Sequence, residues 1–406
     1  MSLPYVKINF ANGAIGGFKA MDDGCTGLIC TAEAIQNKFA LNTNYLITSL
    51  NDLGRLGFRS NATGANGNVY KCVKEFYAEA PTGTKLYLRG VADSVTIDEL
   101  VHHDGEDPEN EHAWPLLEYA RGEIRTLVVK VTDASGYEPD YDDGLDELMS
   151  EAMFNAQELA EAAANDMKAP IMVLLEGRHY SGTPGDLVDL NDCEYNRVVV
   201  VIGDTKKNST GAAVGLVAGR IAAIPVQRST ARVKDGAIKS TEMYIGIEAA
   251  ESGHPEVVSD KGFICPRTFV GKAGYYWSDD KLATSESDDY SLIPRRRTAD
   301  KAARIAYATM LEQVSDEIAL TAEGKIAAAV CKSIETNLES AIINQMTSEG
   351  NISTDPEDPN DTGVKAYVDP DQNIAASSHL DVQLRIRPYG YSKYIEVNLG
   401  FQTLNN

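Results

Sequence analysis

The chain has 406 residues, of which 43% are hydrophobic, and its 60 acidic residues outnumber 37 basic ones to give a formal net charge of −23. This length exceeds the size at which a single hydrophobic core usually keeps growing, so we expect two or more compact units. No stretch approaches the roughly 18 uninterrupted apolar residues that a membrane-spanning helix needs, and the negative charge disfavours nucleic acid and anionic lipid. We therefore expect neither nucleic acid nor membrane as a partner.

The N-terminal segment MSLPYVKINF has neither a basic region followed by an apolar run nor a small-residue cleavage site, so we expect the chain to be made and kept in a cytoplasm. Six cysteines are scattered without a CxxC pair. That pattern favours reduced, mostly buried thiols over a disulfide framework or a zinc site. The cysteines are Cys25, Cys30, Cys72, Cys193, Cys265 and Cys331.

The first predicted element is a strand near the N-terminus, in which Val6, Ile8 and Phe10 alternate with polar residues. Glycines at positions 13, 16 and 17 follow it and allow it to swing away from the rest of the chain. We treat residues 1–17 as an N-terminal arm, which either joins the sheet of its own subunit or reaches another copy.

Residues 18–267 alternate apolar runs with helical patterns. The strand candidates are GLIC, TKLYLRG, IRTLVVKVTD, APIMVLLEG and NRVVVVIGD, and segments such as NVYKCVKEFYAEA and DELMSEAMFNAQELAEAAAND lie between them as helix candidates. This order predicts βα repeats and a largely parallel sheet. The predicted fold class is α/β and α+β: a mixed sheet with flanking helices in the N-terminal two thirds, a smaller α+β C-terminal domain, and extended terminal strands.

Within this region the stretch GAAVGLVAGRIAAIPVQRS places Gly211, Gly215 and Gly219 four residues apart. Such a segment either cradles a phosphate or lets a helix lie close to a neighbouring backbone. A phosphate loop ends in GK[ST], whereas Lys206 and Lys207 here precede the hydroxyl residues, and the glycine spacing is not GxGxxG. Close helix packing is the favoured interpretation, and we expect no nucleotide cofactor.

A loop rich in histidine and acidic residues contains His102, His103, Asp104 and His112, which are metal-ligating residue types. Their spacing matches no HExxH helix, and the surrounding DGEDPENEH is typical of a solvated acidic loop. The sequence has no GxSxG elbow and no local signature of a nucleophilic cysteine, although a triad assembled from distant residues stays open. We expect no metal, no cofactor and no catalytic residues.

The pattern changes near residues 230–290 to short strands, aromatic residues and an acidic loop, and we predict a domain boundary between residues 267 and 268. In the C-terminal domain, residues 268–390, one helix is predicted from about Thr298 and another from about Ala322. The run Arg295–Arg297 precedes the first helix. It is interpreted either as a solvated helix start or as a contact for a partner or a neighbouring copy.

Two strands, VKAYVD and LDVQLRIRP, are predicted after the acidic loop STDPEDPNDTG. Pro388 and Gly390 then precede a last strand in which Ile395, Val397 and Leu399 alternate with polar residues. We treat residues 391–406 as a C-terminal arm, for which both placements considered for the N-terminal arm are open.

The ordered set of segments resembles the contractile tail sheath proteins of phages and related injection machines. The likeness is carried by YLITSLNDLGRLGF, KEFYAEA, TKLYLRG, NRVVVVIGD with GAAVGLVAGRIAAIPVQRS, FVGKAGYYWSDD, IPRRR with two helices, VKAYVDPDQN and the closing LDVQLRIRPYGYSKYIEVNLGF. One departure is PVQRSTARVKDG, which stands where the family usually has a tryptophan-containing segment. The chain also has little room for large decoration domains and resembles a compact sheath.

The resemblance implies a structural protein without catalysis, whose copies stack around an inner tube and contract to drive that tube through a target envelope. It implies that the terminal strands reach neighbouring subunits by strand addition. The subunit-linking residues would be Val6, Ile8, Phe10, Tyr394, Ile395, Val397 and Leu399, and the host-strand residues Val364, Tyr367, Val382, Leu384 and Ile386.

The implied partners are other copies of the chain, the inner tube protein, and baseplate and terminator proteins. Arg295, Arg296 and Arg297 are the predicted contact with the tube or another subunit. The implied location is the host cytoplasm during assembly and then a virion tail or injection particle. Two other classes stay open at this point: an α/β enzyme with a nucleotide or metal cofactor, and a capsid-type shell protein that forms closed particles.

Overall fold

The computed structural model describes residues 23–107 and 110–400. Its strands are β1 Thr26–Thr31, β2 Asn44–Ile47, β3 Leu86–Val91, β4 Thr126–Lys130, β5 Tyr141–Asp142, β6 Leu145–Asp146, β7 Met172–Glu176, β8 Glu194–Tyr195, β9 Val198–Val201, β10 Tyr244–Ile245, β11 Glu248–Ala249, β12 Pro266–Arg267, β13 Tyr276–Trp277, β14 Ala283–Thr284, β15 Val364–Val368 and β16 Val382–Ile386.

The α-helices are α1 Leu50–Arg55, α2 Gly64–Glu79, α3 Ile97–Val101, α4 Trp114–Tyr119, α5 Leu148–Asn165, α6 Val214–Ala223, α7 Pro255–Asp260, α8 Ile293–Met310, α9 Ala328–Ile342 and α10 Ile374–Ser377. Single 3₁₀ turns occupy Pro184–Asp186, Leu190–Asp192, Val233–Asp235 and Leu311–Gln313, and a π turn, Ile343–Thr347, continues α9. None of the helices in the described ranges is long and apolar enough to cross a membrane.

The main sheet has the strand order β2-β3-β1-β4-β7-β9. β2 pairs antiparallel with β3, and the other pairings are parallel. Taken in chain order, the five parallel strands lie in the spatial order 2-1-3-4-5 of a doubly wound sheet. The predicted fold class of a mixed sheet with flanking helices is confirmed.

Each face of this sheet is covered by helices because the parallel strands are apolar on both sides. One core contains Leu100 of α3, Leu116 of α4 and Leu159 of α5. The opposite core contains Phe76 of α2 and Leu216 of α6. The N-terminal domain is therefore a three-layer body with two hydrophobic cores.

Gly215 and Gly219 of α6, which we call the glycine stripe, serve close helix packing, as the sequence favoured, whereas a Cβ atom on Gly211 would meet the carboxylate of Glu176. A Cβ atom on Gly215 would fall on the carbonyl oxygen of Cys72, and one on Gly219 would fall on that of Phe76. Only glycine lets α6 lie this close to the backbone of α2. Arg220 on α6 donates from Nε to Glu79 Oε2 on α2 over 2.9 Å, which fixes the two helices to each other.

The first C-terminal helix starts earlier than predicted. α8 begins at Ile293 rather than near Thr298, because Pro294 is compatible with a first helical turn. The helix ends at Met310, and the 3₁₀ turn Leu311–Gln313 follows it.

The second C-terminal helix starts later than predicted. α9 begins at Ala328 rather than near Ala322. The preceding residues form a tight reversal, in which Leu320 and Ile326 make an antiparallel bridge around Gly324, whose φ is 78°. This backbone conformation favours glycine and is incompatible with a helix.

The segment after residue 267 belongs to the N-terminal body. Trp277 and Leu282 are buried in the core that also contains Phe76. β14, Ala283–Thr284, pairs with β8, Glu194–Tyr195. We therefore propose that the boundary lies near residue 290 rather than at residue 267.

Candidate functional site

The predicted host strands form one antiparallel hairpin, which we call the host sheet: β15, Val364–Val368, and β16, Val382–Ile386. Val364 lies opposite Ile386, and Val368 lies opposite Val382. Along β15 the side chains alternate between buried and exposed, and Tyr367 is 49% exposed. A hairpin of two strands is marginally stable by itself, so its buried face depends on α9 and α8.

The predicted linking residues of the C-terminal arm are exposed. Residues 394–400 form neither helix nor strand. Tyr394, Ile395, Val397 and Leu399 are 87%, 77%, 81% and 96% exposed. Four large apolar side chains in solvent on one short segment are typical of a surface that another chain covers.

The start of the C-terminal arm is fixed to the N-terminal body. Tyr391 donates from its hydroxyl to the carbonyl oxygen of Gln227 over 2.7 Å. Lys393 pairs with Asp279, and its Nζ also lies 3.4 Å from Oδ1 of the fully buried Asp280. The free part of the arm therefore begins at Tyr394, and not at Pro388 or Gly390, which precede the predicted strand.

Burial raises the pKa of Asp280 to about 6, even though the ammonium of Lys393 lowers it. Burial disfavours the charged carboxylate, and one ammonium at 3.4 Å offsets only part of that cost. The junction of arm and body therefore contains a titrating carboxyl group.

The arginine run does not form one exposed basic patch. Arg296 donates from Nη2 to Asp300 Oδ1 over 2.7 Å, and Arg297 donates to the carbonyl oxygen of Ile224, at the C-terminal end of α6, over 3.2 Å. Both side chains are buried, and burial lowers the pKa of Arg297 to about 10. Since both cations serve internal contacts, a tube or subunit contact stays a prediction that the partly exposed Arg295 fits better.

The N-terminal linking residues Val6, Ile8 and Phe10 lie outside the described residues. The first described residue, Asp23, pairs with two cations of α8: its Oδ2 lies 2.8 Å from Lys301 Nζ, and its Oδ1 lies 2.9 Å from Arg304 Nη2. The chain is thus fixed to α8 directly before it enters β1.

Charged residues cluster at the carboxyl edge of the main sheet, which sequence reasoning did not assemble. Glu176 pairs with Lys130, and Asp133 pairs with Arg178 and lies 3.2 Å from Nε2 of His179. The sequence does contain a signal for this cluster, because its charged residues stand directly after apolar strands. Burial raises the pKa of Asp133, but the hydrogen bonds and charges of His179 and Arg178 outweigh it and hold the pKa at about 2.

This cluster has the internal pairing of a structural network. The cavity beside it is about 70 Å³, far below the roughly 300 Å³ at which small-molecule sites begin. In residues 23–107 and 110–400 no three His, Cys, Asp or Glu side chains are placed to hold a metal ion. Of the histidine loop, His103 bonds through Nδ1 to Glu111 over 2.8 Å and stacks on Trp114.

The fold is that of contractile sheath proteins. The chain is similar to the helical sheath of the anti-feeding prophage in its contracted state, with a TM-score of 0.64, 14% identity, and coverage of 99% of this chain and 100% of that one. It is also similar to the contracted sheath complex of the extracellular contractile injection system PVC, with a TM-score of 0.52, 14% identity, and coverage of 99% and 98%. The sheath tail protein of Desulfitobacterium hafniense gives 0.50, 12%, and coverage of 90% and 94%.

The chain belongs to the DUF2586 family. The model of that family's N-terminal domain matches residues 3–281, and the model of its C-terminal domain matches residues 289–406. No curated protein sequence matches the chain. The gap between the two matches, at residues 282–288, agrees with the boundary near residue 290 that the packing of Trp277 and Leu282 favours.

Proposed function

We propose that this protein is the subunit of a contractile sheath, which polymerises around an inner tube and contracts to drive the tube through a target envelope. The observation that carries the proposal is the exposed apolar segment 394–400 on a chain with the fold of sheath proteins along its whole length. A compact body that carries an exposed segment of alternating apolar residues is suited to polymerisation. The role is structural, with no catalytic step.

Copies of the chain are linked by strand addition in this proposal. The C-terminal arm of one copy pairs with the host sheet of another, so that main-chain hydrogen bonds fix the register while alternate side chains enter apolar contacts. Ile395, Val397 and Leu399 lose their exposed surface in this way. The N-terminal arm, with Val6, Ile8 and Phe10, makes the corresponding link to a different neighbour.

In this proposal contraction moves the N-terminal bodies relative to one another, while the strand-addition links between copies stay paired. The extended sheath is metastable, and contraction buries more surface between neighbouring N-terminal bodies. Packed interfaces switch between discrete arrangements, so a gain of a few kcal/mol per subunit is enough for a cooperative wave. The arm stays paired while the body rotates about the point where the arm leaves it, directly after Lys393.

The partners follow from the same proposal: the inner tube protein, and baseplate and terminator proteins at the two ends. Assembly takes place in the host cytoplasm, and the product is a virion tail or an injection particle. The net charge of −23 disfavours nucleic acid as a partner.

Negative-stain electron microscopy of the purified, overexpressed chain tests the proposal. We expect hollow cylinders from the full chain and none after deletion of residues 394–406. A matched pair of variants separates apolar contact from the mere presence of the arm: the triple substitution Ile395→Ser, Val397→Ser and Leu399→Ser removes the cylinders, and Glu396→Ser with Asn398→Ser keeps them. Small uniform particles from the full chain, or closed shells, would contradict the sheath assignment.

A further inference from the structure

The outer edge of β15 is covered by two carboxylates of α9. The backbone N–H of Ala366 donates to Glu339 Oε1, and that of Val368 donates to Glu335 Oε1, each over 3.0 Å. Glu335 and Glu339 are one helical turn apart, so their side chains lie on the same face of α9. Ala366 and Val368 are one strand repeat apart, so their N–H groups point to the same edge of β15. The helix therefore supplies one acceptor to each of these successive outward-facing donors.

The outer edge of β16 has no such cover. In an antiparallel pair, alternate residues direct their backbone groups toward the partner strand and away from it. The backbone N–H groups of Ala366 and Val368 point away from β16. The backbone groups of the opposite residues, Leu384 and Val382, therefore point away from β15. Within the described part of the chain no hydrogen bond reaches these outward groups of β16.

The two covering carboxylates are held in place by charge. Glu335 Oε2 lies 3.3 Å from Lys332 Nζ, and Glu339 Oε1 lies 3.3 Å from Lys365 Nζ. The hydrogen bond from the Val368 N–H lowers the pKa of Glu335 below its usual range. A strand that approached β15 would have to displace the two glutamate carboxylates, which already accept hydrogen bonds from the outward N–H groups of β15. Within the described residues the outward N–H and C=O groups of β16 are open, so a strand can pair with them.

We propose that Glu335 and Glu339 close β15 to strand addition, so that the C-terminal arm of a second copy adds to β16 alone. This inference rests on the proposed function and specifies its interface. The occupant is residues 394–400 of another copy, a segment longer than the five residues of β16, whose apolar side chains nothing in the described ranges covers. Any further strand then pairs with the added arm and not with β15.

A matched pair of prolines tests which edge is used. Proline removes one N–H and is tolerated on a strand only where that N–H is not needed. Leu384→Pro removes an outward donor of β16 and is expected to abolish the cylinders, while Ala366→Pro removes only the donor to Glu339 and is expected to keep them. Thermal unfolding of each variant checks that it folds. Cylinders from Leu384→Pro, or their loss from a folded Ala366→Pro, would overturn the inference.

A second measurement does not depend on proline being tolerated. A synthetic peptide of residues 391–406, with a photoreactive benzophenone residue in place of Glu396, is irradiated with the full chain, and the cross-links are mapped by mass spectrometry. We expect cross-links within 382–386 for the native chain and for the control Glu312→Ala. In the double variant Glu335→Ala and Glu339→Ala, we expect additional cross-links within 364–368.

The outcomes separate the two proposals. Cross-links to β15 in the native chain, or a cross-link map that the double variant leaves unchanged, contradict the closing role of the two glutamates while leaving a cylinder-forming sheath intact. If the native chain forms no cylinders and binds no peptide, the proposed function itself is wrong.

Discussion

The two ends of the molecule differ in how far they are complete as single chains. In the N-terminal body the five parallel strands of the main sheet are buried on both faces, and the charged residues at its carboxyl edge pair with one another. In the C-terminal part a two-stranded host sheet stands beside an arm whose apolar side chains are 77% to 96% exposed. The body is therefore complete within one chain, whereas the C-terminal elements are the ones that we propose connect neighbouring copies.

This division predicts that substitutions in the body change the free energy of unfolding, whereas substitutions in the arm change assembly. The largest expected effect is at the glycine stripe. Gly219→Val places side-chain atoms on the backbone of α2, where the Phe76 carbonyl leaves no space. We expect a loss of at least about 3 kcal/mol in the free energy of unfolding, because overpacking against backbone has no cheap relaxation.

Urea unfolding measures this loss, and Gly54→Ala is the matched control. Gly54 also lies in a helix, α1, but nothing lies within 4 Å of the site of its Cβ. Alanine there is expected to be neutral or to stabilise by about 0.5 to 1 kcal/mol. Equal changes in the free energy of unfolding at the two glycines would contradict the difference between the close-packed α6 and the open site at Gly54.

The next largest effect is expected at the junction between α8 and α6. Arg297→Met keeps the buried aliphatic part but removes the guanidinium that donates to the carbonyl oxygens of Ile224 and Pro225. These carbonyls end α6 and attract a cation, so we expect a loss of about 2 to 3 kcal/mol. The measurement is again urea unfolding. An unchanged midpoint for Arg297→Met would restore the interpretation of this arginine as a contact residue.

A pH-dependent effect is expected at Asp280, where arm and body meet. Burial raises its folded pKa to about 6, well above the usual aspartate pKa of about 3.9. Between these values the folded state holds a proton that the unfolded state has released, so stability falls as the pH rises through this window. The cost is complete above pH 6 and absent below about pH 4.

Asp280→Asn removes this cost but also removes the attraction to Lys393. Because the pKa of about 6 already includes that attraction, we expect the variant to be more stable than the native chain by about 2 to 3 kcal/mol at pH 7.5. At pH 4 the two should be equal. Unfolding midpoints at both pH values measure the difference, and a constant difference would show that Asp280 does not titrate in this range.

The smallest effect on stability is expected in the arm itself. The triple serine variant at Ile395, Val397 and Leu399 should change the free energy of unfolding of the separate subunit by less than about 0.5 kcal/mol, since these side chains contact solvent. The same variant should lose assembly, as proposed above. A large loss of subunit stability would mean that the arm is part of its own subunit's core.

Much of the body was predictable from the sequence. The runs TKLYLRG, APIMVLLEG and NRVVVVIGD became β3, β7 and β9 because apolar strands between amphipathic helices have few alternatives to a covered parallel sheet. The glycines four residues apart predicted a close helix contact, and only the structure could identify α2 as the neighbour. Local patterns fix elements, while pairing between distant segments depends on the whole chain.

The connecting elements were less predictable. The arginine run looked exposed because charged residues usually are, and burial of Arg297 depends on carbonyl oxygens more than 70 positions away in the chain. The capping of β15 by Glu335 and Glu339 follows from the way α9 lies beside the hairpin, which no local pattern specifies. The fixed point at Lys393 likewise depends on Asp279 and Asp280 in the other domain.

A cryo-electron microscopy reconstruction of the assembled cylinders, at a resolution that separates strands, would locate the C-terminal arm of each copy. We expect residues 394–400 of one copy to form a strand along β16 of another, with Glu335 and Glu339 still bonded to β15. An arm folded back on its own subunit, or cylinders joined only through the N-terminal bodies, would contradict this expectation.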